Sequence, residues 1–191
     1  MRARQRVWVA AALLTGISFS AHGQAPGDTF KPCVIGVGVQ TGVCMSDFDI
    51  EGERINQLTS PVLGAFVVFG YAPYLGLQGE VSYLTRGGDE IQLDYLQFAI
   101  LGRIGGITLP RDPQAALIPR IFGGLGVSHL LSDHGVSAAS SDVSLIIGAG
   151  FDIRFGQRQR INIDYRYDYG LRDVFPKAAN RASLLMLGIS F

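Results

Sequence analysis

The 191 residues allow one domain of ordinary size. Charged residues make up only 17%, against roughly 25% in soluble domains, while 48% are hydrophobic and 25 are glycine, close to twice the usual ~7% share. The formal charge is zero, with no excess of the basic residues that a nucleic-acid binder concentrates on one face.

Arg2, Arg4 and Arg6 form a positive N-terminal region, and the apolar run Val7 to Ile17 follows. That run is too short for a transmembrane helix, which needs about 20 residues. Ala21-His22-Gly23 then places small residues at the −3 and −1 positions of a cleavage site. Residues 1–23 are therefore expected to be a secretory signal peptide, and 24–191 the mature domain. Its removal leaves 13 basic against 16 acidic residues.

Cys33 and Cys44 flank VIGVGVQTGV, which reads as one extended strand. Eleven steps of about 3.3 Å hold their Cα atoms roughly 36 Å apart, and a disulfide needs less than about 7 Å. The two are expected not to pair with each other. The next stretch, Asp47-x-Asp49-x-Glu51-Gly52-Glu53, alternates carboxylates but has Leu58 where a calcium loop needs its twelfth-position Glu. A solvated loop is expected over 45–60.

No segment of the mature chain has a helical period. Runs with period-two or Gly-rich apolar character follow one another instead: 34–44, 61–71, 74–86, 91–105, 118–131, 142–155, 160–170 and 181–191. Several have 11 to 15 residues, against the usual 5–6 or so, and a bilayer-spanning strand needs about 9–11. Ala72-Pro73 and 156–159 are tight links, and 105–117 is longer. The opposite links, 45–60, 87–90, 132–141 and 171–180, are expected to be mostly long loops, the asymmetry of an outer-membrane barrel.

The runs have two faces. In 142–155, Val143, Leu145, Ile147, Ala149, Phe151, Ile153 and Phe155 oppose Asp142, Ser144, Gly148, Gly150, Asp152 and Arg154. Gln78, Glu80 and Ser82 share one face of 74–86, and Leu184 and Met186 blur the polar face of the last run. A soluble barrel turns its apolar face inward, and a membrane barrel turns it to lipid. Long apolar faces, an export signal and a terminal Phe191 favour the membrane answer. Glycines on the polar faces suit a crowded lumen, and closure removes the sheet edges that lipid cannot satisfy. The expected fold is all-β, an eight-stranded antiparallel up-and-down transmembrane β-barrel.

EVSYLTRGG (80–88), LDYLQFAILGR (93–103), PRIFGGLGVSHLLS (119–132) and NRASLLMLGISF (180–191) are together similar to the PorT-like outer-membrane β-barrel proteins. The chain departs from that family at Gln97 and Ala99, where Glu and Pro are usual. The resemblance implies a link to protein secretion and surface export. It also implies that Phe191 is the signal engaged by the barrel-assembly machinery.

Glu80, Arg103, Arg120, Asp152, Arg154, Asp164, Arg166 and Asp168 are expected to face the lumen. They would form either a salt-bridged plug or an ion path, and eight strands leave room only for side chains. In INIDYRYDYG (161–170), Tyr165, Tyr167 and Tyr169 fall on the lipid face, in the outer interfacial girdle. Ser128, His129, Ser132, Asp133 and His134 gather near one rim, with no G-x-S-x-G elbow and no third metal ligand. The reading is a non-enzymatic protein of the bacterial outer membrane, without cofactor, with a structural, surface-interaction or secretion-assisting role. Lipid, lipopolysaccharide, the assembly machinery and secretion proteins are its expected partners. A small channel or transporter is the alternative, and a soluble periplasmic ligand-binding barrel the next.

Overall fold

A computed structural model of the chain describes residues 33–50, 53–54, 58–72, 74–88, 91–105, 117–132, 140–155, 159–175 and 178–191. The proposed signal peptide lies outside them. The strands are β1 (Cys33–Ile50), β2 (Glu53–Arg54), β3 (Leu58–Ala72), β4 (Leu75–Gly88), β5 (Ile91–Gly105), β6 (Leu117–Ser132), β7 (Ser141–Arg154), β8 (Arg160–Phe175) and β9 (Ala178–Ser190). Every pairing is antiparallel, and each long strand pairs with the next. β1 also pairs with β9, from Gly38↔Ser190 to Ile50↔Ala178, which closes an eight-stave barrel. β2 is a short return that pairs only with Asp49 and Ile50.

The alternation decides which side of the wall each residue takes. Leu63, Ile100, Ile121, Ile147 and Leu187 are all exposed on the outer wall, while Glu80, Arg103, Arg120, Asp152 and Arg166 are buried inside. This is the inverse of a soluble barrel and the arrangement of one that sits in lipid. Glycine lines much of the inner face, at Gly76, Gly126, Gly150 and Gly188. At the strand end Gly105 has φ +88°, a conformation that a side chain would strain, and its N–H donates to the Tyr74 carbonyl at 2.9 Å.

The ends of the barrel differ from expectation. One rim, here the terminal rim, carries Cys33, the Ala72–Leu75 turn, Phe155–Gln159 and Phe191. At the opposite, distal rim β1, β8 and β9 run on where loops were expected, while β6 and β7 end and begin at Ser132 and Ser141, as expected. β8 and β9 are separated only by residues 176–177, and β4 and β5 by 89–90, while the longest interval between strands, 106–116, is at the terminal rim. The described part of the acidic stretch is strand: Asp47 and Asp49 belong to β1, opposite Arg181 and Ala179 of β9, and Glu53 belongs to β2, while Glu51 and Gly52 lie outside the described residues. Beyond the apolar band the outer face meets water, so it loses the apolar side chains by which the sequence marks a membrane strand. Cys44 is buried and free, one strand's length from Cys33, so the two cysteines do not pair.

Candidate functional site

The inner wall brings distant side chains together in a closed loop. Arg103 of β5 donates to Asp152 of β7 at 3.1 Å and to Gln78 of β4 at 2.6 Å. Gln78 donates to Glu80, which accepts from Arg166 of β8. Arg166 donates to Asp164 at 3.0 Å, Asp164 pairs with Arg120 of β6, and Arg120 returns to Asp152. Three guanidiniums and three carboxylates alternate around this ring, so it is neutral. Gln40 of β1 joins it through Glu80 at 3.3 Å and Arg166 at 3.2 Å, and Asn162 donates to Asp152 at 2.6 Å. The Arg166 guanidinium also lies 5.2 Å over the Phe122 ring. Opposite Phe122, Gly148 must lack a side chain, because a Cβ there would stand 2.5 Å from the ring.

A second network lies toward the distal rim. Arg86 of β4 pairs with Asp168 of β8 and lies 3.8 Å from Asp142 of β7. Gln97 of β5 donates to Asp168 at 2.8 Å and contacts Ser144 at 3.4 Å. β4 and β8 are four staves apart around an eight-stave barrel, so Glu80–Arg166 and Arg86–Asp168 both cross its full width. Beside them stands an apolar layer of Cys44, Val62, Leu84, Leu93, Tyr95, Ala182, Leu184 and Met186. The apolar residues that blur the polar face of β9 are thus part of the lumen filling. A groove of 670 Å³ lies on the outer wall among Tyr74, Ile104, Ile121, Phe151, Ile163 and Tyr165.

Of the eight charged residues singled out from sequence, six form the ring and Asp168 joins the distal network. Arg154, half-buried, stands apart at the terminal mouth opposite Arg160. Sequence reasoning passed over Arg86, the centre of the distal network, although it shares the parity of Glu80. It also passed over the amides Gln40 and Gln97 as lumen groups, whose uncharged side chains give no signal of an ion-pair network.

The three tyrosines of β8 share the outer wall but not one height. Tyr169 is level with Arg181, whose guanidinium lies 5.7 Å over its ring. Tyr167 is level with Ser183, and Tyr165 sits deeper, between Ala149 and Leu185. There its hydroxyl lies 3.3 Å from Ser183 Oγ, which answers a polar group within the apolar band. Phe191 is exposed, its backbone held in the ladder by Val37.

At the distal rim Ser128 is fully buried on the inner face and His129 is exposed on the outer one, so these neighbours cannot act on one substrate. Asp133 and His134 lie outside the described residues. Among the described residues no group of three His, Cys, Asp or Glu side chains could hold a metal ion.

The family model of the outer membrane protein beta-barrel domain matches residues 9–191. Among solved structures the chain is similar to Neisserial surface protein A, with 13% identity, 81% of this chain and 95% of that chain covered, and a TM-score of 0.61. The outer membrane enzyme PagL gives 16% identity, 80% and 97% coverage and 0.51. OprG from Pseudomonas aeruginosa gives 11%, 82% and 95% coverage and 0.50. Identities this low establish the shared fold. No curated protein matches the chain.

Proposed function

The chain belongs to the outer membrane protein beta-barrel domain family, whose place is the bacterial outer membrane, and from that premise we propose that it is a non-conducting, non-enzymatic barrel that acts through its surfaces. The observation that carries this reading is the pair of ion bridges that cross the lumen between opposed staves, Glu80–Arg166 and Arg86–Asp168. An ion path would need those side chains to part, and breaking a buried pair costs about 3–5 kcal/mol. The opposed faces taken by Ser128 and His129 support the absence of catalysis.

Eight staves bring Cys33 and Phe191 to one rim, and in an exported barrel with an even number of strands that terminal rim lies in the periplasm. The distal extensions of β1, β8 and β9 then stand outside the cell, where lipopolysaccharide and surface partners are met. Phe191 serves as the signal for the barrel-assembly machinery. Within the family, membership of the PorT-like group and a part in secretion rest on the segments 80–88, 93–103, 119–132 and 180–191. Both departures from that group are lumen residues here: Gln97 bonds Asp168, and Ala99 packs with Leu101, Phe122 and Ile146.

Planar-bilayer recording tests the reading. The purified barrel should insert without discrete current steps, and a steady unitary conductance would favour the channel instead.

A further inference from the structure

The outer wall of a membrane barrel meets lipid, and its relief is set by side-chain size at neighbouring outward positions. Along one row of the ladder Ile104 pairs with Ile121, Ile121 with Ala149, Ala149 with Tyr165 and Tyr165 with Leu185. All five stand exposed on the outer wall, and Ala149 is the short one among branched and aromatic neighbours. Pro119, which pairs with Phe151, continues the low ground toward the terminal rim. The groove of 670 Å³ thus has Pro119 and Ala149 as its floor, Ile121 along one side, and Phe151 and Tyr165 along the other. Its direction follows from the register. The row continues to Val43, far along β1, at one end and to Leu75, beside the terminal turn, at the other. Rows therefore slope toward the terminal rim from β9 to β4. Strands tilt by about 35–45° to the barrel axis, so a line along that axis crosses one strand for each outward residue that it climbs. From Pro119 on β6 such a line passes to Ala149 on β7. The floor is set along the membrane normal, and Tyr74 and Gly105 border its lower end at the terminal rim.

We propose that this groove holds one acyl chain of a phospholipid from the leaflet at the terminal rim, as a resident lipid distinct from the exchanging shell around it. Lipid and wall are equally apolar, so burial from water does not drive the contact and packing decides it. A chain that passed over the groove would leave a void, and the lining would lose its dispersion contacts on that side. An extended acyl chain is unbranched, narrow and aligned with the normal, which is the shape and direction of the floor. The outward side chains around it are apolar apart from the hydroxyls of Tyr74 and Tyr165, and that of Tyr165 lies 3.3 Å from Ser183 Oγ. Tyr74, exposed at the rim, stands where the chain meets its headgroup. A second copy of the barrel fits less well, because a two-fold contact centred on the groove sets hollow against hollow. That the lipid is a phospholipid and not lipopolysaccharide rests on the terminal rim being periplasmic, and the site is independent of whether the lumen conducts.

The test is native mass spectrometry of the full barrel extracted from its own membrane in a maltoside detergent, followed by titration of the delipidated protein with phosphatidylglycerol. Wild type should keep one phospholipid through washing that removes the others, and should rebind one when titrated. Ala149→Phe fills the floor with an outward apolar side chain and should weaken that binding about tenfold, through the loss of a row of carbon contacts. Ala65→Phe, an equal enlargement on the outer wall away from the groove, should bind as wild type does. A heat-modifiable gel shift shows that each variant is folded. A barrel that keeps no lipid, equal binding by wild type and folded Ala149→Phe, or an equal loss in Ala65→Phe would overturn the proposal, as would a dimer that Ala149→Phe dissociates. Lipopolysaccharide held in place of phospholipid would overturn it together with the periplasmic placement of the terminal rim.

Discussion

Glu80 is held by Arg166, Gln40 and Gln78, all buried, so its charge is fixed in place by neighbours on both sides of the lumen. Removing one partner of such a pair strands the other, whereas removing both with apolar replacements is often close to neutral. Glu80→Ala should therefore destabilise the barrel by about 3 kcal/mol, the low end of the range because Arg166 keeps Asp164. The double variant Glu80→Met with Arg166→Met leaves Arg103 and Arg120 against Asp152 and Asp164, and should recover more than half of that loss. Urea unfolding from detergent micelles checks this; losses that simply add would mean that the two side chains do not depend on each other. The inner-face parity of these residues was legible in the sequence. Their pairing was not, because Glu80 and Arg166 meet only after the sheet has closed and brought β4 opposite β8.

At the scale of the strand, the sequence marks what lies in the apolar band and falls silent outside it. β5 was expected at 91–105 and is found there, because its outer face is apolar along most of its length and Gly105 ends it. β1 was expected to stop at Cys44, yet it continues to Ile50 with a ladder to β9 as far as Ala178. From Asp47 to Ile50 polar and apolar residues still alternate, but the parity that is apolar at Val39, Val43 and Met45 turns acidic, so the stretch does not read as part of an apolar-faced strand. The inner apolar layer was equally hard to see: Leu184, Leu185, Met186 and Leu187 read as a continuous run because the outer pair faces lipid and the inner pair fills the lumen. Hydrogen exchange separates strand from loop at the distal end. Backbone amides over 47–50 that donate to β9 should exchange at least about tenfold more slowly than those of an open loop, since exchange requires the local ladder to open. Complete exchange in the first time point would return this segment to the solvated loop expected from its acidity.

The whole barrel is closed by two kinds of chemistry in one lumen, and they should respond differently to perturbation. The ion pairs are buried, where salt screens far less than at an exposed surface. Raising KCl from 0.1 to 1 M, over which the Debye length falls from about 10 to about 3 Å, should thus leave the barrel without current steps. Arg166→Ala breaks one bridge across the lumen, but Arg86–Asp168 and the layer of Leu84, Leu93, Leu184 and Met186 remain. That variant should stay closed as well. Adding Arg86→Ala removes the second bridge and leaves the apolar layer and the Arg103–Asp152–Arg120–Asp164 remainder of the ring between the rims. The double variant should be the first to show brief openings, growing more frequent when Leu184→Ser hydrates the layer. Recording all four proteins in the same bilayer orders the contributions: openings from Arg166→Ala alone would make that one bridge the whole barrier, and closure of all four would mean that the filling survives without its charges.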